Sequence, residues 1–384
     1  MADVFEEMAT CGAHRVIVLH DDASGLRAMI ALDDVALGPA CGGIRTRPYP
    51  ATLDALRDVT ELAAAMTLKC AIAGLDAGGG KTVVIERPGM DRAAAFRRLG
   101  DHIDDLGGLY RAAGDLGTTQ DDLLHVAERT TFVNTTGEQL GAATGDGIVN
   151  CIRACARHRG IGDLSGLHVA VQGCGLIGAG VARSMVSVGA RVTVADVDEA
   201  RARALADEIG AAWVPSAAIL FVDADIVSPC AVGGVLTPAV VRELRAWAVC
   251  GGANNQLADR SVDALLAERE ITYVPDFLAS AGAVIDGAAR TVMGVDPAPF
   301  IARLEHTASE VFDRARADGS GTDAAARLMA RARIDDASRD KAGEVVDQVE
   351  RDAACSPASQ PNVTAFCAVT HSFVASLSAS SSQR

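Results

Sequence analysis

The spacing of apolar positions changes along the chain, and each change predicts a different element. "HRVIVLH" and "LRAMIALDD" run apolar or alternate around "DDASG", which predicts two strands joined by a tight turn. From residue 52, "TLDALRDVTELAAAMTLKCA" places apolar residues three and four apart, the pattern of a helix, with Thr52 as its expected cap. A short strand is expected after Lys81, where "TVVIERPG" is β-branched and stopped by Pro-Gly. A helix is expected over "DRAAAFRRLGDHIDDL" and a strand-to-helix turn at "YRAAGDLGTT". This first region, to about residue 140, reads as an α+β unit. The second region opens differently: "LHVAVQGCGLIGAGVARSMVSVGARVTVADVDEA" is strand, glycine turn, helix and strand in quick succession. Later strands fit "ADIVSPCAVGG", "AWAVCGGANN" and "ITYVPDFLASAG", each running into Gly, Pro or Asn. Two helical patterns follow, "FIARLEHTASEVFDRARADG" and "TDAAARLMARARI", before periodicity is lost in a serine-rich stretch expected to be a mobile tail.

Composition narrows the function classes. No apolar run of membrane-spanning length interrupts the 384 residues, and the acidic N-terminus has no apolar signal core. A net charge of −15, without a basic stripe or aromatic ladder, argues against a nucleic-acid partner. The ten cysteines are scattered, several inside apolar runs, so they read as small buried hydrophobes in a reducing cytoplasm. Cys151, Cys155 and His158 share a helical face, but no fourth ligand is evident. A packed face is the expectation, and no metal site.

Two glycine-rich stretches carry chemistry. "GLDAGGGKT" looks like a phosphate loop, yet counting back from Lys81 puts Leu75 where the first glycine must stand, and the segment runs into a strand instead of opening a helix. In "VQGCGLIG", by contrast, Gly173, Gly175 and Gly178 satisfy GxGxxG between a strand and a helix. The first makes the turn, the second admits a pyrophosphate, and the third lets helix and strand pack closely. Asp196 ends the next strand, where a carboxylate can bind both ribose hydroxyls and repel a 2′-phosphate. NAD is therefore the expected cofactor. Lys69 and Lys81 flank what reads as a glycine-rich turn, so both ammonium groups can face one cleft. There each disfavours the other's charge, and desolvation adds to the effect. A neutral lysine is a usable general base, and a charged one clamps a carboxylate. Asp115 offers a second proton-transfer group.

Together, "LGPACGGIR", "MTLKCAIAGLDAGGGK", "GDLGTT", "ATGDGI", "GCGLIG", "SPCAVGG", "GGANNQL" and "YVPDFLASAG" resemble the glutamate/leucine/phenylalanine/valine dehydrogenase family, in the family's order, over about residues 14 to 335. The resemblance implies an α/β fold. Residues 1–140 would form a substrate-binding, catalytic and oligomerisation domain, and 141–318 a Rossmann-type NAD-binding domain. A C-terminal helix over 319–350 would return to the first domain, ahead of a tail over 351–384. It implies reversible NAD-dependent oxidative deamination of an L-amino acid to a 2-oxo acid and ammonia, by a homo-oligomer. Lys69 would bind the substrate carboxylate. Lys81 would activate the water that attacks the imine, and Asp115 would shuttle protons to and from the amine. Gly42 and Asn255 would lie beside the substrate. Thr144 would sit near the nicotinamide, with Leu176, Ile177, Cys230, Ala231 and Asn255 around the cofactor.

Departures from the family pattern bear on the substrate. Glutamate-specific relatives carry a lysine where this chain has Cys41, which cannot pair with a side-chain carboxylate. Cys41 and Gly287 are smaller than the leucine and valine of branched-chain enzymes, and Ala113 and Val284 join them as expected pocket residues. Each absent methylene leaves room whose filling is worth about 0.8 kcal/mol. The pocket thus leans towards phenylalanine or another bulky apolar side chain. Ser280 and Asp286 stand where the family usually has Asn or another neutral polar group, and Asp286 leaves a polar or unusual substrate open. The competing expectations are branched-chain specificity and a catalytically silent NAD-binding regulator. Retention of Lys69, Lys81 and Asp115 argues against the silent protein.

Overall fold

The computed structural model describes residues 3–136 and 140–355, with side chains described as far as residue 343. The chain divides into two compact units, Met1–Ile334 and Asp335–Arg384. Within the described residues the second unit is helix, running to Cys355. The serine-rich stretch beyond it, where a tail is expected, lies outside the described residues.

In the first unit, a short helix α1 (Val4–Cys11) precedes strands β1 (Val16–Asp21), β2 (Leu26–Asp34) and β3 (Ala40–Arg47). Helix α2 (Thr52–Ile72), strand β4 (Gly78–Ile85), helix α3 (Arg92–Asp104), strand β5 (Tyr110–Gly114) and helix α4 (Gln120–Ala127) follow. The strands form one mixed sheet in the order β1-β2-β4-β3-β5, antiparallel across β1/β2/β4 and parallel across β4/β3/β5. The β1–β2 hairpin closes where expected: the Asp21 carboxylate accepts from the Ser24 amide and hydroxyl, and Gly25 takes a positive φ. Two details differ from the sequence reading. Thr52 is the first helical residue and caps nothing; the Asp54 carboxylate instead accepts the free N–H of Ala51 at 3.0 Å. Gly78, Gly79 and Gly80 belong to β4 and not to a turn. The chain reverses earlier, at Gly74, whose φ is +76°.

The helix–sheet contact explains the strand glycines. Along α2, Ala55, Leu56, Val59 and Ala63 pack on Met29, Ala31 and Val83 of the sheet. The helix then runs so close to β4 that a Cβ at Gly79 would lie 2.2 Å from the Thr67 backbone nitrogen. On the opposite face of the sheet, Phe96, Leu99 and Ile103 of α3 pack with Ile30, Ile44 and Tyr110.

Helix α5 (Leu140–His158) leads into the second half: β6 (His168–Gln172), α6 (Leu176–Ser187), β7 (Arg191–Ala195), α7 (Glu199–Ile209) and β8 (Ala212–Trp213). Next come β9 (Ile226–Pro229), α8 (Pro238–Glu243), β10 (Ala248–Val249), α9 (Ser261–Glu268) and β11 (Thr272–Tyr273). The six strands are all parallel, in the order β11-β10-β9-β6-β7-β8. That order reverses direction between β6 and β9, the switch point at which a doubly wound sheet opens a crevice beyond its carboxyl ends. Cys151 and Cys155 are buried in the core beside this sheet, and His158 packs on Phe312. Helices α10 (Asp276–Ala279), α11 (Gly282–Ala288), α12 (Ala298–Asp318) and α13 (Thr322–Cys355) complete the described chain. Arg333 of α13 reaches the first half, donating to the carbonyls of Ala71 and Leu75 and pairing with Asp76 at 2.9 Å.

Candidate active site

Strands β3 and β4, the carboxyl end of β5 and the last turn of α2 bring four charged side chains together. Lys81 projects from β4 towards the α2 side, and its Nζ lies 2.7 Å from Asp115 Oδ2, just past β5. Arg45 of β3 donates from Nε to the same oxygen at 3.1 Å. Lys69, one turn from the end of α2, is buried. It donates to Ser280 Oγ at 2.9 Å and to Asn254 Oδ1 at 3.3 Å, both from the second half of the chain. Ser280 is aimed by its own hydrogen bond to the Asp276 carbonyl.

Burial dominates the electrostatics. It lowers the Lys81 pKa from the ordinary lysine value, outweighing the opposing pull of Asp115, and the like charge of Arg45 adds to the lowering. Lys69 is lowered in the same way, first by burial, with Lys81 contributing and Asp276 opposing. Burial pushes the Asp115 carboxyl up, but Lys81 and Arg45 together hold it below the usual range. A lysine poised to lose its proton thus faces a carboxylate held ionised, next to a second cation. This is an arrangement for moving protons near a bound anion.

Of the residues expected at the substrate, Gly42 backs onto the neighbouring strand: a Cβ there would lie 1.7 Å from the Gly80 carbonyl oxygen. Gly43, which the sequence reading did not single out, opens the site side, since its Cβ would lie 2.8 Å from Asp115 Cβ. Cys41 is paired with Gly79 and Arg111 across the strands, is buried, and shares a cluster with Leu68 and the half-buried Val284. Burial raises its thiol pKa to about 12, so it serves as a neutral wall. Ala113 pairs with Gly43. Gly287 of α11 faces Asn134, whose Nδ2 would lie 3.7 Å from an added Cβ. Asp286 is buried and paired with Arg290 at 3.0 Å. Asn254 is the amide that meets Lys69. Asn255, beside it, takes φ +52° and offers its carbonyl to Gly234 N–H at 2.7 Å. Arg45 and Asn254 lie inside the quoted motifs with nothing local to distinguish them from their neighbours, and Ser280 stands out in the sequence only as a departure from the family pattern, not as a partner of Lys69.

The second sheet carries a glycine-lined strand-to-helix turn at its switch point. Gly173 takes φ +95° and meets Ala231, and Gly178 admits no Cβ because the Gly173 carbonyl oxygen would be 1.9 Å away. Gly175, which precedes the first turn of α6, opens onto free space on its Cβ side. These are the geometries needed for a tight turn, close helix packing and an anion resting on a helix N-terminus. Asp196, at the end of β7, accepts the N–H of Cys174 at 2.7 Å and of Asp198 at 2.9 Å, with Arg201 3.7 Å away. Those contacts outweigh the effect of burial and lower its pKa. Leu176 is exposed, Ile177 packs beside Gly252, and Cys230 accepts from the Gly252 N–H at 3.4 Å. Thr144 is buried on α5 against Gly282, whose Cβ would come within 2.8 Å of its Cα. The residues present fit a dinucleotide.

Known proteins resemble this chain in sequence and in fold. A family model described as Glu/Leu/Phe/Val dehydrogenase, dimerisation domain, matches residues 13–132, and one described as Glutamate/Leucine/Phenylalanine/Valine dehydrogenase matches 194–315. The chain is 38% identical to the phenylalanine dehydrogenase of Lysinibacillus sphaericus over 74% of its own length and 77% of that protein's. It is 34% identical to the leucine dehydrogenase of Bacillus cereus, covering 86% of this chain and 93% of the relative. The solved structure of L-tryptophan dehydrogenase from Nostoc punctiforme superposes with a TM-score of 0.78 at 31% identity, covering 87% of this chain and 99% of that one.

Proposed function

The chain belongs to the glutamate/leucine/phenylalanine/valine dehydrogenase family, and from that premise we propose a role for each residue of its site. It is an amino-acid dehydrogenase, an oxidoreductase that deaminates apolar amino acids and depends on a pyridine nucleotide. The nucleotide, when bound, supplies the hydride acceptor. Gly173, Gly175 and Gly178 would hold its pyrophosphate, Asp196 its adenosine ribose, and Thr144, Cys230 and Ala231 would line its path towards the substrate. We propose NAD over NADP, because an ionised Asp196 repels a 2′-phosphate.

The ion pair between Lys81 and Asp115 beside the buried Lys69 carries the reading. Lys69 clamps the substrate carboxylate by charge, with Ser280 and Asn254 fixing its direction. Lys81, whose pKa burial lowers, takes a proton from the water that attacks the oxidised carbon, and Asp115 passes a proton to the departing amine. The clamp joins the two halves of the chain, so substrate is held where α2 meets the cofactor-binding half, away from bulk water. Cys41, Ala113, Val284 and Gly287 form an apolar side-chain pocket short of bulk, which favours an aromatic or large aliphatic substrate. Homo-oligomerisation through residues 13–132 fits the dimerisation-domain match. A cytoplasmic location fits the free thiols of the described cysteines. NADH formation with a panel of L-amino acids, using Lys81→Ala as control, tests the reading. Phenylalanine or tryptophan as best substrate supports it, valine or leucine as best replaces the pocket assignment, and no turnover with any amino acid overturns it.

A further inference from the structure

We propose that Arg45 is a positioning residue for this reaction, one that holds the Asp115 carboxylate against Lys81 and fixes its charge. The inference rests on the dehydrogenase reading above but concerns a residue that reading leaves without a role. Arg45 is the interior link of a buried chain. Its Nη1 donates to both oxygens of Asp58 on α2, at 3.0 and 3.3 Å, and its Nε donates to Asp115 Oδ2 at 3.1 Å. Asp58 is itself anchored, accepting from the Tyr49 hydroxyl and lying 3.9 Å from Arg47 Nε. The side chain is 17% exposed, and one edge of its planar fork is committed to Asp58, so the remaining N–H has one direction to point. A lysine could neutralise one of the two carboxylates but could not bridge them at fixed angles.

The position matters because, apart from the Leu116 N–H of its own loop, the Asp115 carboxylate is held by Lys81 and Arg45. Asp115 stands above Gly43, which has no side chain, and follows the last residue of β5. Its carboxylate is met by Lys81 from β4 and Arg45 from β3, both at Oδ2. The charged groups acting on this pair are Asp58 and Lys69 on α2, Arg45 on β3 and, through Lys69, Asp276 on α10. Removing Arg45 takes a cation from both members: Asp115 becomes easier to protonate, and Lys81, facing an unopposed Asp58, harder to deprotonate. Both changes push the working range to higher pH. Removing Asp58 acts in the other direction on Lys81, because an anion that favours its charged form is lost.

The test measures kcat/KM for deamination against pH in the full-length protein, with its best panel substrate, for Arg45→Gln, Arg45→Lys and Asp58→Asn. NADH affinity and melting temperature are followed alongside. Arg45→Gln is expected to lose about tenfold to a hundredfold at neutral pH. Its ascending limb should move about half a unit or more to higher pH, with NADH affinity unchanged. Arg45→Lys should recover part of both, and Asp58→Asn should move the limb the opposite way. A purely structural role would scale the rate at every pH alike. Variant profiles that superimpose on the parent after scaling therefore overturn the proposal, as does a parent-like rate in Arg45→Gln. Should that variant not fold, the opposed shifts of Arg45→Lys and Asp58→Asn decide the same question. A parent that shows no amino-acid-dependent NADH formation overturns the dehydrogenase reading as well, so the two failures are told apart.

Discussion

Lys81 and Asp115 meet across a strand: β4 carries one, the end of β5 carries the other, and β3 runs between them. They touch at 2.7 Å because the intervening position on that face is Gly43. Gly43→Ala would place a methyl 2.8 Å from Asp115 Cβ and push the carboxylate away. We expect kcat to fall by about a hundredfold, as misplacement by about 1 Å commonly does, with NADH binding retained. Near-normal turnover in the purified variant would show that the pair does not need this contact.

Lys81→Ala should abolish turnover and leave NADH binding largely intact, since the lysine lies on the first sheet and the proposed nucleotide site on the second. In the parent, deamination should accelerate as pH rises and Lys81 loses its proton. Because burial lowers the Lys81 pKa, the rise should begin below the range of an ordinary lysine at 10.5. A rate that declines between neutral and mildly alkaline pH would count against a lysine base.

Lys69 is expected to cost stability. A lysine whose pKa is lower folded than unfolded binds fewer protons in the native state, so stability rises with pH up to the ordinary value of 10.5. The penalty is fully present below both values. Lys69→Met should therefore melt higher than the parent at neutral pH, by on the order of 1 kcal/mol in stability. The gain should shrink as the pH approaches 10, and activity should be lost. Calorimetry at pH 7 and pH 10 checks the sign, and a less stable variant at pH 7 would refute it.

Asp196, proposed above to bind the adenosine ribose, already accepts two backbone N–H groups of its own chain. Asp196→Ser should weaken NAD binding and narrow the preference over NADP, with Arg201 available to meet a 2′-phosphate. Parent kcat/KM values that are equal for the two nucleotides would remove the proposed selectivity role.

Cys41 tests the pocket. Cys41→Leu should lower activity on aromatic substrates relative to leucine or valine, by about 1–3 kcal/mol in discrimination. Cys41→Lys would bury a cation beside Leu68 and should harm every apolar substrate. An unchanged substrate ranking in both variants would show that Cys41 does not face the substrate.

What the sequence determined by itself is local. The strand–turn–helix–strand unit around Gly173, Gly175 and Gly178 was legible because its turn and helix start are local: Gly173 takes φ +95° and Gly178 packs on the Gly173 carbonyl five residues back, while Asp196 follows from the length of that unit. The lysine–glycine segment was legible as a motif, but its geometry was not. Gly78 to Gly80 read as a turn and lie in a strand, because the reason for them is the approach of α2, which only packing reveals. The split between Gly42 and Gly43, adjacent in sequence and opposed in space, depends on strand register, where a slip of one residue exchanges the faces. Lys69 finding Ser280 and Asn254, and Arg45 bridging Asp58 to Asp115, join residues far apart in the chain. No spacing rule encodes such contacts. They exist only once β3 has inserted between β4 and β5 and the second half of the chain has closed on the end of α2.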